Sequence, residues 1–115
     1  MFQHLYPSGG LYSTAHDMAR WISFQLSAGR GPDSVLVSDT MLRETHRPQV
    51  LLGKSYQDLF QSPGWPLAFG LGWVTYSHHG THVLELGGAW GGFNCLLLLL
   101  PERDLGFVML SNLHM

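Results

Sequence analysis

Charge, cysteine and lysine are what this sequence has least of. Charged residues are 12% of its 115 positions, about half the usual share of ~25%. Such a surface is poor in solubilising charge, and part of it is expected to meet a partner or a missing neighbour. Six basic residues against eight acidic ones leave a formal charge of −2, so no electrostatic footprint for nucleic acid exists. The single cysteine, Cys95, excludes an internal disulfide and any Cys-based zinc site. Long apolar runs are missing as well: the leucines of Leu96–Leu100 fall far short of the ~20 residues that cross a bilayer. The first residues, with Gln3, His4 and Pro7, are not patterned as a signal peptide. No internal repeat occurs. What is present is 45% apolar residues and a mean hydropathy of +0.06, which exclude a disordered tail and support one modest core.

Local signals then divide the chain. Residues 1–12 hold Pro7, Ser8, Gly9 and Gly10, a turn-forming string without periodicity. Thr14-Ala15-His16-Asp17 reads as a capping box, and Ala15, Met18, Ile22 and Leu26 recur at helical spacing behind it. A helix over about 15–28 follows, with those four side chains inward. Ser38 before Asp39, and Pro48 after, bound a short helix near 39–46. Residues 47–68 read as a long ordered connection. Beyond it Phe69–Tyr76, His82–Leu86, Cys95–Leu100 and Gly106–Leu110 read as strands, with a glycine-containing hairpin at His78-His79-Gly80-Thr81 and a turn at Pro101–Asp104. Connections this short make the sheet antiparallel. The fold class is α+β, an antiparallel sheet with helices packed on it. The unbroken run Cys95–Leu100 calls for cover on both faces, and the two predicted helices supply only one.

Several residues invite a sharper reading. His78, His79 and His82 form a His-His-x-x-His cluster, but on a hairpin turn their side chains diverge, and a solvated turn is the better account than a metal site. Trp65 and Trp73 read as core. Ser13 and Thr14 are explained as helix-start residues, and Cys95 as a small buried apolar one. Gly87, Gly88 and Ala89 have an ordinary account as a β-bulge or bend. Gly91 and Gly92 read as a connection needing positive φ.

Three stretches together resemble a known family. Ser8-Gly9-Gly10-Leu11-Tyr12-Ser13-Thr14-Ala15-His16-Asp17-Met18-Ala19-Arg20-Trp21 is similar to the glycine-pair, helix-start segment of the serine β-lactamase and penicillin-binding superfamily, in its class C-like branch. Phe69-Gly70-Leu71-Gly72-Trp73 resembles that family's Tyr-Gly-Leu-Gly-Trp strand. Gly87-Gly88-Ala89-Trp90-Gly91-Gly92-Phe93, running through the leucines to Pro101-Glu102-Arg103-Asp104-Leu105-Gly106-Phe107-Val108-Met109-Leu110-Ser111-Asn112, resembles its last active-site strand and the two that follow. The resemblance implies that residues 1–115 are one partial domain, the C-terminal portion of a β-lactamase/transpeptidase-like fold. The Ser-x-x-Lys region and a C-terminal helix would lie outside it, and a helical domain would meet the uncovered sheet face. It implies no cofactor and no metal.

Such enzymes attack a carbonyl with the serine of Ser-x-x-Lys. Here the only lysine is Lys54 and position 51 is Leu51, so that motif is absent. Tyr6-Pro7-Ser8 fits a Tyr-x-Ser pattern only formally, in the glycine-pair segment. Where the family carries Lys or His, a small residue, then Gly, this chain has Leu86-Gly87-Gly88. The resemblance implies that Gly88 lets a substrate backbone approach, that the Ala89 N–H forms half of an oxyanion hole, and that Leu86, Gly87 and Trp90 line the substrate site. Leu86 replaces a cation suited to substrate carboxylates. Two readings stay open. One is part of a serine hydrolase cleaving an amide or ester of a small molecule or peptide, inactive as this chain alone. The other is a non-catalytic, degenerate module for binding or assembly. In either, the expected partner is the remainder of the same fold, or a second copy through the leucine-rich strand.

Overall fold

The element pattern follows from where the chain can satisfy its backbone. The computed structural model describes residues 6–60 and 66–113. Four helices come first or intervene: α1 (Tyr6–Gly9), α2 (Ala15–Leu26), α3 (Asp39–His46) and α4 (Lys54–Phe60). Six strands, β1 (Val50–Leu51), β2 (Ala68–Phe69), β3 (Val74–His78), β4 (Thr81–Trp90), β5 (Phe93–Leu100) and β6 (Leu105–Ser111), form one sheet in sequential order. Every pairing is antiparallel. The α+β expectation holds, with two more strands than the four anticipated.

The start of α2 is capped as its sequence requires. The Asp17 N–H donates to Thr14 Oγ1 at 3.2 Å, and the Thr14 hydroxyl donates back to Asp17 Oδ2 at 3.2 Å. The helix stops at Leu26, two residues short of the expected end, because Ala28 and Gly29 take left-handed φ of 59° and 80°. A Cβ on Gly29 would run into the Val37 carbonyl, so the chain turns there by necessity. The buried stripe is Met18, Ile22, Gln25 and Leu26. Ala15, expected inward, is exposed beside the cap. Helix α3 spans the predicted residues, with Met41 N–H on Ser38 Oγ at 3.3 Å.

Differences elsewhere have local causes. The string at residues 1–12 contains the single turn α1, whose Pro7 suits a first helical turn. Residues 47–68, read as a connection, hold β1 and α4; β1 exists only through long-range bonds, Gln49 N–H to Phe69 O (2.7 Å) and Leu52 N–H to Leu67 O (2.9 Å). Phe69–Tyr76 is not one strand but two, β2 and β3, folded back at Gly70–Trp73 with the Gly70 N–H on Trp73 O at 2.7 Å. The β3–β4 hairpin turns at His79-Gly80 (φ 48° and 76°) and the β4–β5 hairpin at Gly91-Gly92 (φ 57° and 87°), pairs suited to tight hairpin loops.

The leucine run does what an unbroken apolar strand must. Leu97 and Leu99 join Ile22, Trp73 and Leu84 under α2, while Leu98 and Leu100 pack with Leu52, Leu67, Val74, Tyr76 and Val83 on the other face. Gly106 lets α2 come close: a Cβ there would strike Ile22 Cγ2. Ile22→Ala should lower stability by about 2–5 kcal/mol. Gly106→Ala should also destabilise, but far less in the Ile22→Ala background, and a double-mutant cycle of urea melts reads that coupling. Simple additivity would show that α2 does not rest on Gly106.

Candidate active-site strand

Strand β4 is longer than its neighbour on one side. Its pairing with β3 ends at Val74 opposite Glu85, whereas its pairing with β5 continues through Leu86–Leu97, Gly87–Leu96, Gly88–Cys95, Ala89–Asn94 and Trp90–Phe93. No described strand lies beside Leu86–Trp90 on the β3 side. A strand edge without a paired neighbour in general presents alternate backbone N–H and C=O groups to an extended ligand. All five residues singled out in the sequence fall on this stretch.

The one-to-one register excludes a bulge at Gly87–Ala89. Nor does packing demand glycine at position 87. A Cβ on Gly87 would meet only Cys95 O at 3.9 Å, an ordinary contact, and on Gly88 only the Cys95 Sγ at 3.3 Å. Neither has positive φ. Gly70 contrasts with them: its Cβ would crowd the carbonyls of Thr45, in α3, and of Arg47, just after it. The bareness of Gly87 thus has no cause inside the described chain, whereas a side chain at Gly88 would require Cys95 to give way.

Strand alternation sorts the side chains. Leu86, Gly88 and Trp90 share the α2 face with Leu84, beside Cys95 and Phe93, while Gly87 and Ala89 share the opposite face with Glu85. Leu86 is 37% exposed, Trp90 50% and Phe93 58%. Cys95, expected buried, is only partly so, because α2 covers the sheet over Leu97 and Leu99 and not this end. Glu85 accepts from the Tyr76 hydroxyl at 2.8 Å.

A polar hub fixes where the open stretch begins. His46, at the end of α3, lies 2.7 Å from Gln25 Oε1 of α2 and sets its ring edge-on to Trp73, with centroids 5.8 Å apart. Trp73 leads directly into β3, and Thr75 there bonds the His82 ring at 2.7 Å. The sequence signal for this hub was Gly70-Leu71-Gly72-Trp73; Gln25 and His46, on separate helices, carried none.

Of the hairpin histidines, His78 and His79 do not diverge as expected: their rings lie edge-to-face with centroids 4.2 Å apart. His82 faces the α2 side and His78 the other, and no described group of three His, Cys, Asp or Glu residues could hold a metal. Trp73 is core at 4% exposure. Trp65 and the Tyr6 side chain lie outside the described residues.

With this geometry in view, comparison places the chain among known proteins. A sequence profile described as Beta-lactamase matches residues 2–114. The chain is 27% identical over 110 residues to "Protein flp" of Staphylococcus aureus (strain NCTC 8325 / PS 47), covering 94% of this chain and 18% of that protein. It is 31% identical over 114 residues to the D-alanyl-D-alanine-carboxypeptidase/endopeptidase AmpH of Escherichia coli (strain K12), covering 91% and 27%. Among solved structures, an octameric penicillin-binding protein homologue from Pyrococcus abyssi superposes with a TM-score of 0.71 at 17% identity, over 87% of this chain and 20% of that one. That likeness is one of fold. The chain spans roughly a fifth to a quarter of the length of these proteins.

The hub makes stability depend on pH. Burial first, then nearby His82 and Arg43, hold the His46 pKa below its ordinary 6.5. The unfolded chain therefore takes up this proton near pH 6.5 while the folded chain resists it. The stability contributed by neutral His46 is complete above that value and is lost as pH falls below it. Urea midpoints should drop between about pH 7 and 5, and His46→Gln should flatten the slope. An unaltered slope in that variant would remove His46 from the linkage.

Proposed function

Because the chain belongs to the beta-lactamase family, we propose that it is the C-terminal part of a serine hydrolase and forms one wall of its acyl-transfer site. The observation that carries this reading is the open stretch Leu86–Trp90, with a glycine at position 87 that internal packing does not require. A peptide-like substrate would lie along that edge, its carbonyl beside the Ala89 N–H. A serine supplied from outside this chain would attack the carbonyl carbon, and the Ala89 N–H would stabilise the oxyanion that develops. Collapse expels the amine or alcohol with a proton, and water then releases the acid from the acyl-serine. The relative named as a D-alanyl-D-alanine-carboxypeptidase/endopeptidase supports an amide as the bond broken.

Alone, the chain should be inert. No Ser-x-x-Lys occurs in it, and an unactivated hydroxyl is a weak nucleophile. A labelled β-lactam or fluorophosphonate should leave it unmodified; stoichiometric serine labelling would contradict this. In a longer form bearing the upstream motif, Ala89→Pro, which removes the N–H, should cost on the order of 10²–10³ in turnover. Full turnover in a folded variant would take β4 out of the mechanism. The second reading, a non-catalytic module, is favoured by Leu86 standing where the family has a cation; absence of labelling in the longer form would decide for it.

A partner is also proposed for the face opposite α2. There Leu105 (54%), Phe107 (53%) and Met109 (45%) are exposed beside Leu96 and Leu98. The remainder of the same fold, or a second copy, would cover them, and the octameric homologue is consistent with the latter. Sedimentation of the chain at micromolar concentration should show dimers or larger species. A monomer that binds no hydrophobic dye would refute it.

A further inference from the structure

We propose that the open stretch of β4 selects neutral, apolar acyl compounds, peptides or esters that carry no carboxylate next to the bound carbonyl. The proposal rests on the reading of this edge as substrate-binding and adds the chemical class that it accepts.

Backbone pairing along a strand edge is blind to side chains, so specificity comes from what flanks the edge. On the α2 face those flanking groups are Leu86, Trp90 and Phe93, all apolar and all at least a third exposed. On the other face Ala89 is flanked by Leu96 and Asn94. From Val83 to Leu100 the one charged residue is Glu85. It lies on the face opposite Leu86 and Trp90 and is engaged by the Tyr76 hydroxyl at 2.8 Å.

The first basic side chain beyond β5 is at the far end of this strand pair: Arg103 reaches Thr81 Oγ1 at 3.5 Å. At about 3.3 Å per residue, Thr81 is roughly 23 Å along the strand from Gly88, beyond two Debye lengths at physiological salt. A carboxylate laid against Leu86–Trp90 would lose water and find no cation between Val83 and Leu100 to replace it. An uncharged apolar substituent would instead cover Leu86, Trp90 and Phe93 and gain from their burial.

The test is a matched pair of peptides, acetyl-Leu-Ala-Leu-amide and the same peptide with a free C-terminal carboxylate, titrated into the 15N-labelled chain. The amide form should shift the Gly87, Gly88, Ala89 and Trp90 backbone resonances with a Kd at least about tenfold lower than the acid form. Leu86→Lys, at a position already partly exposed, should narrow or invert that preference. If both peptides shift these resonances with equal affinity, or the acid binds better to the unaltered chain, the class assignment is overturned while the edge remains a binding strand. If neither peptide shifts them, the edge reading fails and this proposal with it. Should Leu86→Lys not fold, the comparison on the unaltered chain decides alone.

Discussion

The approach of the Gly70–Trp73 turn to the end of α3 governs where the sheet is open. The Leu71 N–H donates to Thr45 O at 2.9 Å, and Gly70 sits so near the Thr45 and Arg47 carbonyls that any side chain would collide. Helix C-termini leave carbonyls without intrahelical partners, and here the turn supplies one of the missing donors. This docking folds β2 back on β3 and makes Val74 the first residue of β3. Strand β4, twice as long as β3 (10 residues against 5), must then project beyond it. The open stretch is thus a consequence of a contact on the other side of the strand pair.

The same contact ties the hub together. His46 is held because α3 ends there, and its ring meets both the buried Gln25 and the edge of Trp73. A buried amide without a partner would be costly; with His46 present, no buried side-chain polar atom among the described residues is left unsatisfied. Helices α2 and α3 and the β2–β3 turn therefore behave as one support. Protonating His46 charges a half-buried ring near Arg43 and His82, so the position of the open edge and the acid response share a cause.

Much of this was legible in the residues. The Thr14 cap, the α3 boundaries, both tight hairpin turns and the antiparallel sheet follow from local chemistry, which short-range patterns carry well. Local patterns failed where structure depends on distant partners. Strand β1 has only Val50 and Leu51, too few to alternate, and exists because Phe69 and Leu67 offer carbonyls. The division of Phe69–Tyr76 was hidden because Gly70 and Gly72 look like strand glycines until α3 is in place. Gln25 looked like a polar position on a helix surface, and only His46 explains its burial. For the candidate strand, the resemblance picked out Leu86–Trp90, but the missing β3 neighbour could not be read from composition or period. Trp65 lies outside the described residues, so its expected core role has no counterpart here.

Position 86 separates two kinds of information in such a site. What Gly87, Gly88 and Ala89 offer is backbone, and backbone geometry survives side-chain replacement as long as the register with β5 is kept. Seven consecutive pairings, from Leu84–Leu99 to Trp90–Phe93, keep it. What residue 86 offers is side-chain chemistry on the α2 face, and a leucine there contributes surface where a cation would contribute charge. The two can change independently, because Leu86 reaches solvent at 37% exposure and is not part of the buried cluster that holds α2 to the sheet. On the proposed reading of this edge, the class of molecule recognised could therefore change at a single surface position without disturbing the strand itself.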